Sequence, residues 1–159
     1  MELLERKTAL ETLDQLMLEG AAGHGRLVFL GGEAGVGKTA LLETFCESRR
    51  DTVRVFTGAC DPLATPRPLG PLMDMAPSLG EEFAGLLAGE GQGRVVFANF
   101  LTEIATRSQP SLVAFEDVHW ADDSTFDLLR FLGRRVGTGQ RFRPKVLRIG
   151  RVAADFERN

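Results

Sequence analysis

The sequence has few cysteines and no long apolar run, which limits where the protein functions. Its two cysteines, Cys46 and Cys60, lie too far apart for the C-x-x-C spacing of zinc or redox sites, so we expect two reduced thiols. No stretch approaches the roughly 18–20 apolar residues that a membrane helix needs. The start of the chain also lacks the basic region and unbroken apolar run of a secretory signal. We therefore expect a cytoplasmic protein without membrane contact.

An excess of basic residues is also absent. The chain has 22 Asp and Glu residues against 19 Lys and Arg residues, which gives a formal net charge of −3 and a pI near 5.5. Nucleic acids and anionic membranes attract basic surfaces, and the sequence contains no readable helix-turn-helix. We therefore expect no direct DNA binding by this chain. Its 159 residues, 43% of them hydrophobic, are enough for one core and predict a single domain.

The hydrophobic pattern alternates between short apolar runs, typical of buried strands, and three- to four-residue repeats, typical of helices. Strands are predicted at 27–30, 53–57 and 112–115. Helices are predicted at 2–19, 39–48, within 80–93, at 94–107, and from an Asp122 or Asp123 cap to about Arg135. Five of the seven prolines fall within 62–77, so 60–72 is predicted to be an ordered surface loop. This order predicts an α/β fold of three layers, α/β/α, with a mostly parallel sheet.

One glycine-rich segment carries a phosphate-binding signature. Residues 32–39, GEAGVGKT, match G-x-x-x-x-G-K-[ST] without a mismatch and lie between a predicted strand and a predicted helix. The glycines let backbone N–H groups point at phosphate oxygens, and the helix N-terminus adds partial positive charge. Lys38 is predicted to reach the β- and γ-phosphates of ATP, and the Thr39 hydroxyl to ligate Mg²⁺. The alternative is a glycine-rich turn that matches by accident. The predicted nucleotide-binding residues are Gly32, Glu33, Ala34, Gly35, Val36, Gly37, Lys38, Thr39 and Ala40.

Two acids, Glu116 and Asp117, end the third predicted strand. A P-loop protein that hydrolyses ATP needs acids beside its magnesium ion, usually at the end of another strand of the same sheet. In the common arrangement the first acid holds the metal and the second polarises the attacking water. Here the first acid is a glutamate with a longer reach, so Asp117 could serve the metal instead. We therefore assign catalysis and metal binding to the pair, with Thr39 as a further metal ligand; a helix or turn cap is the structural alternative.

Three further polar or aromatic residues, His119, Trp120 and Asp122, follow the acid pair directly. They could line the same site as the acids. A lone histidine is more often structural, and a tryptophan more often belongs to packing. These three residues are therefore secondary candidates for the site.

Three segments together resemble a known family: LVFLGGEAGVGKTALL, GACDPLATPRPLGPL and LVAFEDVHWADDSTFDLLRFLGRR. They resemble the N-terminal ATPase module of large bacterial LuxR-type transcriptional regulators, in the STAND branch of AAA-like P-loop NTPases. Similar modules are described as Orc1-like AAA domains. The resemblance covers about residues 2–136, which implies a P-loop ATPase core at 1–136 and a divergent basic segment at 137–159. The family usually has a Gly-Arg-Glu-like element near the adenine; Leu4-Glu5-Arg6 matches only its arginine, so Arg6 and Leu4 are nucleotide-site candidates.

The resemblance implies an ATP-binding signalling module whose nucleotide state controls how it packs on its neighbours. Weak or absent hydrolysis is expected of the isolated chain, because a lid, a sensor and an arginine from a partner are all unaccounted for in the sequence. The implied partners are ATP with Mg²⁺ and, among proteins, another copy of the chain or a related regulator. Two alternatives stay open: a small-molecule P-loop kinase, and a non-enzymatic fragment that packs on a related regulator.

The chain departs from the family pattern after Val136. The family places a fourth strand between the acidic strand and the P-loop strand, and here that place is held by Val146-Leu147-Arg148-Ile149. Central parallel strands are nearly all apolar, so the sequence predicts a poor central strand and a fold that is incomplete at the C-terminus. If 146–150 does insert, Arg148 or Arg151 becomes a candidate sensor. The loss of pattern also suggests a truncated or frame-shifted product.

Overall fold

The computed structural model describes residues 3–32, 35–63, 67–89, 93–105, 108–136 and 146–151. The helices are α1 (Leu3–Ala21), α2 (Lys38–Glu47), α3 (Gly70–Leu79), α4 (Glu81–Ala88), α5 (Gly93–Ala105) and α6 (Asp123–Val136). The strands are β1 (Arg26–Leu30), β2 (Arg54–Ala59), β3 (Ser111–Glu116) and β4 (Val146–Arg151), and a 3₁₀ turn spans Val118–Trp120. None of the described helices has both the length and the apolar composition needed to cross a membrane.

The four strands form one parallel sheet in the order β1-β4-β3-β2. Because all pairs are parallel, the carboxyl ends of β1 and β3 lie at the same edge. Successive side chains of a strand point to opposite faces of the sheet, so the sheet separates two hydrophobic cores. Leu112 and Ala114 of β3 pack with α1 and α2, whereas Val113 and Phe115 pack with α3 to α6. The predicted three-layer α/β fold is confirmed.

The position of β4 corrects one prediction. Arg148 suggested a poor central strand, but the backbone of β4 lies between β1 and β3, with Arg148 aligned to Leu27 on one side and Val113 on the other. The prediction was wrong because it weighed side chains, whereas a parallel ladder is made by backbone N–H and C=O groups that arginine supplies like any other residue. The P-loop strand therefore has its hydrogen-bonding neighbour.

Helix α3 is the element that the sequence pattern missed. Residues 60–72 were predicted to be a loop, yet α3 begins at Gly70 and continues through Pro77. Pro71 is tolerated because the N–H of a first-turn residue has no helical partner. Leu72, Met75, Ala76 and Leu79 are buried, and their spacing is the helical repeat i, i+3, i+4, i+7. That repeat is visible in the sequence, but the density of prolines led to the prediction of a loop.

Strand β2 is adapted to hold α3. A Cβ atom at Gly58 would lie 2.8 Å from the Cα of Pro71 and closer still to its carbonyl oxygen, so the first turn of α3 rests on the bare backbone of the strand. One residue later, the backbone N–H of Ala59 donates to the Asp74 carboxylate at 3.1 Å. Arg67 also pairs with Asp74, at 3.8 Å. A side chain at position 58 is incompatible with this contact.

We therefore predict that Gly58→Ala destabilises the fold by about 1–3 kcal/mol, because the new methyl group must displace backbone atoms rather than a flexible side chain. The matched control is Gly85→Ala, since Gly85 lies in α4 with open space around its Cα, where alanine should stabilise the helix by up to about 1 kcal/mol. Urea unfolding followed by circular dichroism measures both. Equal stability of Gly58→Ala and wild type would contradict the contact.

Candidate nucleotide-binding site

The glycine-rich loop has a backbone that only glycine adopts without strain. Gly32, Gly35 and Gly37 all have positive φ, at 142°, 81° and 86°, a region that L-residues with side chains disfavour. Two predicted site residues, Glu33 and Ala34, lie outside the described residues. The glycine spacing recognised in the sequence is thus matched by the local backbone that a phosphate-binding loop requires.

Helix α2 begins inside this loop and presents its N-terminus to it. Gly37 is the N-cap, makes no side-chain capping bond, and the first turn contains no acidic residue. The first N–H groups of a helix lack helical partners and carry partial positive charge. The ammonium of Lys38 folds back across the loop and donates to the carbonyl oxygen of Gly32 at 2.5 Å. The loop, the helix end and the lysine together form a cationic cradle whose donors fit phosphate oxygens.

The two remaining nucleotide-site candidates, Arg6 and Leu4, belong to α1. Arg6 of α1 donates to the carbonyl oxygen of Ala40 at 3.2 Å and to Oγ1 of Thr44 at 3.0 Å. Arg6 therefore contacts α2 one turn after the lysine, next to the predicted site residue Ala40. The side chain of Leu4 lies outside the described part of the chain.

The acid pair lies at the carboxyl edge, as predicted. Glu116 is the last residue of β3, and its carbonyl oxygen accepts from the N–H of Cys60 at 3.0 Å. Strand alternation places Glu116 on the α2 side, where it helps to line a cavity of about 590 Å³ with Glu43 and Thr57. Asp117 has a left-handed backbone with φ of 52°, a conformation that aspartate tolerates better than most residues.

The cradle and the acids lie at the same edge of the sheet. The P-loop follows β1 and the acids end β3, with only β4 between them, which corresponds to two strand spacings, or about 10 Å. Ligands of open parallel sheets bind outside the carboxyl ends of the strands. Within the described ranges, no group of three or more His, Cys, Asp and Glu side chains could hold a metal ion alone. Mg²⁺ is commonly bound by one or two carboxylates together with nucleotide phosphates, and the donors here fit that arrangement.

The residues after the acid pair take different positions. His119 lies beside Asp117, with Nδ1 at 4.0 Å from Oδ1, and its ring centroid is 5.1 Å from that of Trp120. Trp120 is 47% exposed, so it is not the core residue that its type suggests. Both side chains are therefore near the acids and accessible from solvent.

Asp122 has a clear structural task. Its Oδ1 accepts from the N–H of Thr125 at 3.1 Å, which confirms it as the cap of α6. Its Oδ2 accepts from the Thr125 hydroxyl and from the N–H of Leu69, the latter at 3.2 Å. Leu69 has a positive φ of 56° and immediately precedes α3. One carboxylate thus joins the start of α6 to the start of α3.

The two cysteines are buried and not bonded to each other. Burial, as the largest cause, raises the pKa of Cys46 to about 11. Burial, and then the negative charges of Asp122 and Asp117, raises the pKa of Cys60 to about 12. The thiolate is the reactive form, so both residues are neutral and inert at physiological pH. This agrees with the expected reduced thiols.

We predict that Asp122→Ala lowers the free energy of unfolding by about 2–4 kcal/mol. The change removes a helix cap worth about 1 kcal/mol and leaves the buried N–H of Leu69 without its acceptor, at a further cost of about 1–3 kcal/mol. Asp123→Ala is the neighbouring control; it removes only an exposed first-turn charge, worth about 0.5 kcal/mol. Chemical denaturation of both variants tests the difference, and equal losses would argue against the bridging role.

Comparison with known proteins identifies the family. Residues 2–146 match the family model described as AAA ATPase domain. No curated protein matches the chain. Among solved structures, the chain is similar to Pif1 helicase from Candida albicans, with a TM-score of 0.50 and 17% identity, over 94% of this chain. The chain spans about a third of that helicase, 32% of its length, and at this identity the likeness concerns the fold alone. Because the family model covers most of its residues, the chain belongs to the AAA ATPase domain family.

Proposed function

We propose that the chain binds Mg-ATP in the crevice between the P-loop and the acid pair, and that it acts as the ATP-binding signalling module of a bacterial LuxR-type regulator. One observation carries the proposal: three glycines with positive φ lead into the uncapped N-terminus of α2, with Lys38 folded across the loop. This arrangement collects donors and positive charge at one point. A polyphosphate is the ligand chemistry that satisfies them.

Each residue of the site has a distinct role in this proposal. The N–H groups of the loop and of the first turn of α2 hold the phosphates, and Lys38 releases Gly32 to bind the terminal phosphates. Thr39 and one acid of the pair Glu116 and Asp117 would supply oxygen ligands for the magnesium ion, which would neutralise phosphate charge when bound. The acid that does not hold the metal accepts a proton from the attacking water. Arg6 of α1, which contacts α2 at Ala40 and Thr44, contributes to the nucleoside side of the site.

Slow turnover is part of the proposal. An arginine supplied by a partner is worth roughly 10³–10⁵ in rate among P-loop enzymes, and hydrolysis by the isolated chain lacks that contribution. A module of this kind acts mainly through binding, since the bound nucleotide stabilises one packing of the chain over another. The main effect of ATP is then to switch the packing of the chain, and hydrolysis is secondary.

The regulator assignment rests on the sequence resemblance, and two hydrogen bonds support a switch. The proline-rich segment meets the acidic segment where Asp122 accepts from Leu69, and the end of β2 meets it where Cys60 donates to Glu116. A change at the acid pair therefore acts directly on the residues that position α3. These contacts offer a route from nucleotide state to an outer helix.

We predict that Lys38→Ala abolishes saturable Mg-ATP binding in calorimetric titration, because the cradle loses the ammonium charge that contacts the phosphates. Lys7→Ala is the matched control: Lys7 is an exposed residue of α1 paired with Glu11 at 3.9 Å, and its removal should leave the affinity unchanged. Thermal unfolding of each variant checks the fold. A folded wild-type chain that binds no Mg-ATP would refute the proposed function.

The effect of Mg²⁺ on the affinity for ATP tests the acid pair separately. We predict that Mg²⁺ raises the affinity of wild type for ATP and that Glu116→Gln combined with Asp117→Asn reduces this gain at least about tenfold, since carboxylates are the preferred Mg²⁺ ligands. Asp127→Asn, an exposed acid of α6, is the control. This measurement needs no turnover. Any hydrolysis above the Lys38→Ala background should fall in parallel, and an unchanged magnesium gain would remove the acids from the site.

A further inference from the structure

We propose that a cavity at the amino edge of the sheet, where the strands begin, binds a free α-amino acid with a large apolar side chain. The cavity lies between α1 and the turn that joins α2 to β2, and it has a volume of about 430 Å³. This volume is within the range of about 300–1,000 Å³ that is typical of small-molecule sites. Its walls are apolar except for one cation, one anion and one hydroxyl group. A ligand with one charge of each sign and an apolar body matches these groups.

The cavity is separate from the nucleotide-binding site. Two of its lining residues, Val53 and Pro110, stand directly before β2 and β3. The acid pair lies at the other end of β3, a strand of 6 residues, and a strand rises about 3.3 Å per residue, which separates the cavity from the acids by roughly 20 Å. The inference therefore does not rest on the proposed function.

The apolar wall of the cavity combines core residues with an exposed leucine. Its side chains come from α1 and from the residues before β2 and β3, namely Met17, Leu18, Ala21, Val53 and Pro110. Met17 and Val53 belong to the core, whereas Leu18 is 68% exposed. Single exposed leucines are common on protein surfaces, but this one borders a cavity that is already formed. An apolar ligand body would cover Leu18 and remove its surface from water.

The charged groups of the cavity are Asp14 of α1 and Arg49 of the turn after α2. Nη2 of Arg49 donates to Oδ1 of Asp14, and both side chains are partly exposed, so a ligand can reach them from solvent. A guanidinium has five N–H donors, and a carboxylate accepts through both oxygens. Within the described part of the chain, the pair engages one nitrogen and one oxygen. Donors of Arg49 and acceptors of Asp14 therefore remain for a ligand.

Arg49 is also held in position by groups other than Asp14. Its guanidinium lies over the ring of Phe45, 5.6 Å from the centroid. Its carbonyl oxygen accepts from the N–H groups of Thr52 and Val53, each at 2.9 Å, and from the Thr52 hydroxyl at 3.1 Å. These bonds close the turn that forms one side of the cavity. Preorganised groups lose less entropy when a ligand binds, so the cation of the site is in place before the ligand arrives.

The two opposite charges favour a zwitterion over a ligand with one charge. A fatty acid would satisfy Arg49 but would meet the like charge of Asp14, and a hydrophobic amine would have the reverse problem. A free amino acid can bring its carboxylate to Arg49 and its ammonium to Asp14, and both contacts are charge-assisted hydrogen bonds. Its side chain then enters the apolar part of the cavity. Leucine, methionine and phenylalanine belong to this class of ligand.

An apolar side chain of a partner protein is the poorer occupant. A residue within a polypeptide has neutral amide groups where a free amino acid has its two charges. Such a residue would fill the apolar part of the cavity and leave Asp14 and Arg49 without charged partners from the ligand. An amino acid that is capped at both ends reproduces this case, so it separates the two occupants experimentally.

Calorimetric titration of the full chain with L-phenylalanine, without nucleotide or magnesium, tests the inference. Saturable binding is expected, and L-alanine should bind at least about tenfold more weakly because it lacks the apolar body. Analogues test the charges: 3-phenylpropionate lacks the ammonium, phenethylamine lacks the carboxylate, and N-acetyl-L-phenylalanine amide lacks both. Each should bind at least about tenfold more weakly than L-phenylalanine, because each loses a charge-assisted hydrogen bond.

Variants of the chain locate the site. Asp14→Asn and Arg49→Gln should each weaken the binding of L-phenylalanine at least about tenfold, and Leu18→Gln should weaken it about fivefold. Glu19→Gln is the control for the charges, because Glu19 forms a similar ion pair from α1 without lining the cavity. Val95→Gln is the control for Leu18→Gln, because Val95 is an exposed apolar residue of α5. Both controls should bind like wild type.

Thermal unfolding without ligand verifies that each variant is folded. If the loss of the ion pair unfolds the chain, Leu18→Gln still tests the site, because its side chain is exposed. A folded wild type without saturable binding would overturn the inference, as would unchanged affinity in folded Arg49→Gln or Leu18→Gln. Equal binding of 3-phenylpropionate or phenethylamine would contradict the zwitterion. Equal binding of the capped amino acid would assign the cavity to a partner's side chain instead.

Discussion

Parallel backbone pairing through β4 is the constraint on which the rest of the structure depends. In the described sheet, β1 is hydrogen-bonded only to β4, and β4 joins it to β3. Without this strand, the P-loop and the acid pair would have no fixed separation. Unpaired buried backbone groups cost about 1–3 kcal/mol each, against a total stability of about 5–15 kcal/mol for a typical domain. The same ladder therefore holds the fold together and sets the geometry of the crevice.

The second level of organisation is the attachment of α3 to the carboxyl edge. Gly58 allows the helix to rest on the backbone of β2, Asp74 accepts from Ala59, and Asp122 accepts from Leu69. The chain reaches Leu69 with a strained left-handed backbone, a feature that persists only where surrounding contacts overdetermine it. Because the N–H of Cys60 donates to Glu116 and Asp122 accepts from Leu69, hydrogen bonds connect the acidic segment to the residues on either side of the segment that leads into α3.

The sequence predicted the parts that depend on local pattern. Glycine spacing identified the P-loop, apolar runs identified β1, β2 and β3, and the acidic strand end followed from them. It failed where local rules conflict with tertiary contacts. The density of prolines led to the prediction of a loop, although the repeat from Leu72 to Leu79 is typical of a buried helix. The charge of Arg148 led to the prediction of a poor central strand, although the backbone of β4 pairs on both sides. Contacts between distant residues, such as Arg6 with Thr44 or Leu69 with Asp122, leave no periodic signal and could be found only from the fold.

Charge illustrates the same limit in another way. The net charge of −3 argued against a surface that attracts anions, but a net charge is an average over the whole molecule. Strand alternation sends α2 to one side of the sheet and α5 and α6 to the other, and with them go the glutamates of α2 and the arginines of α6. The sheet thus separates the glutamates of α2 from the arginines of α6, and the net charge of the chain describes neither group.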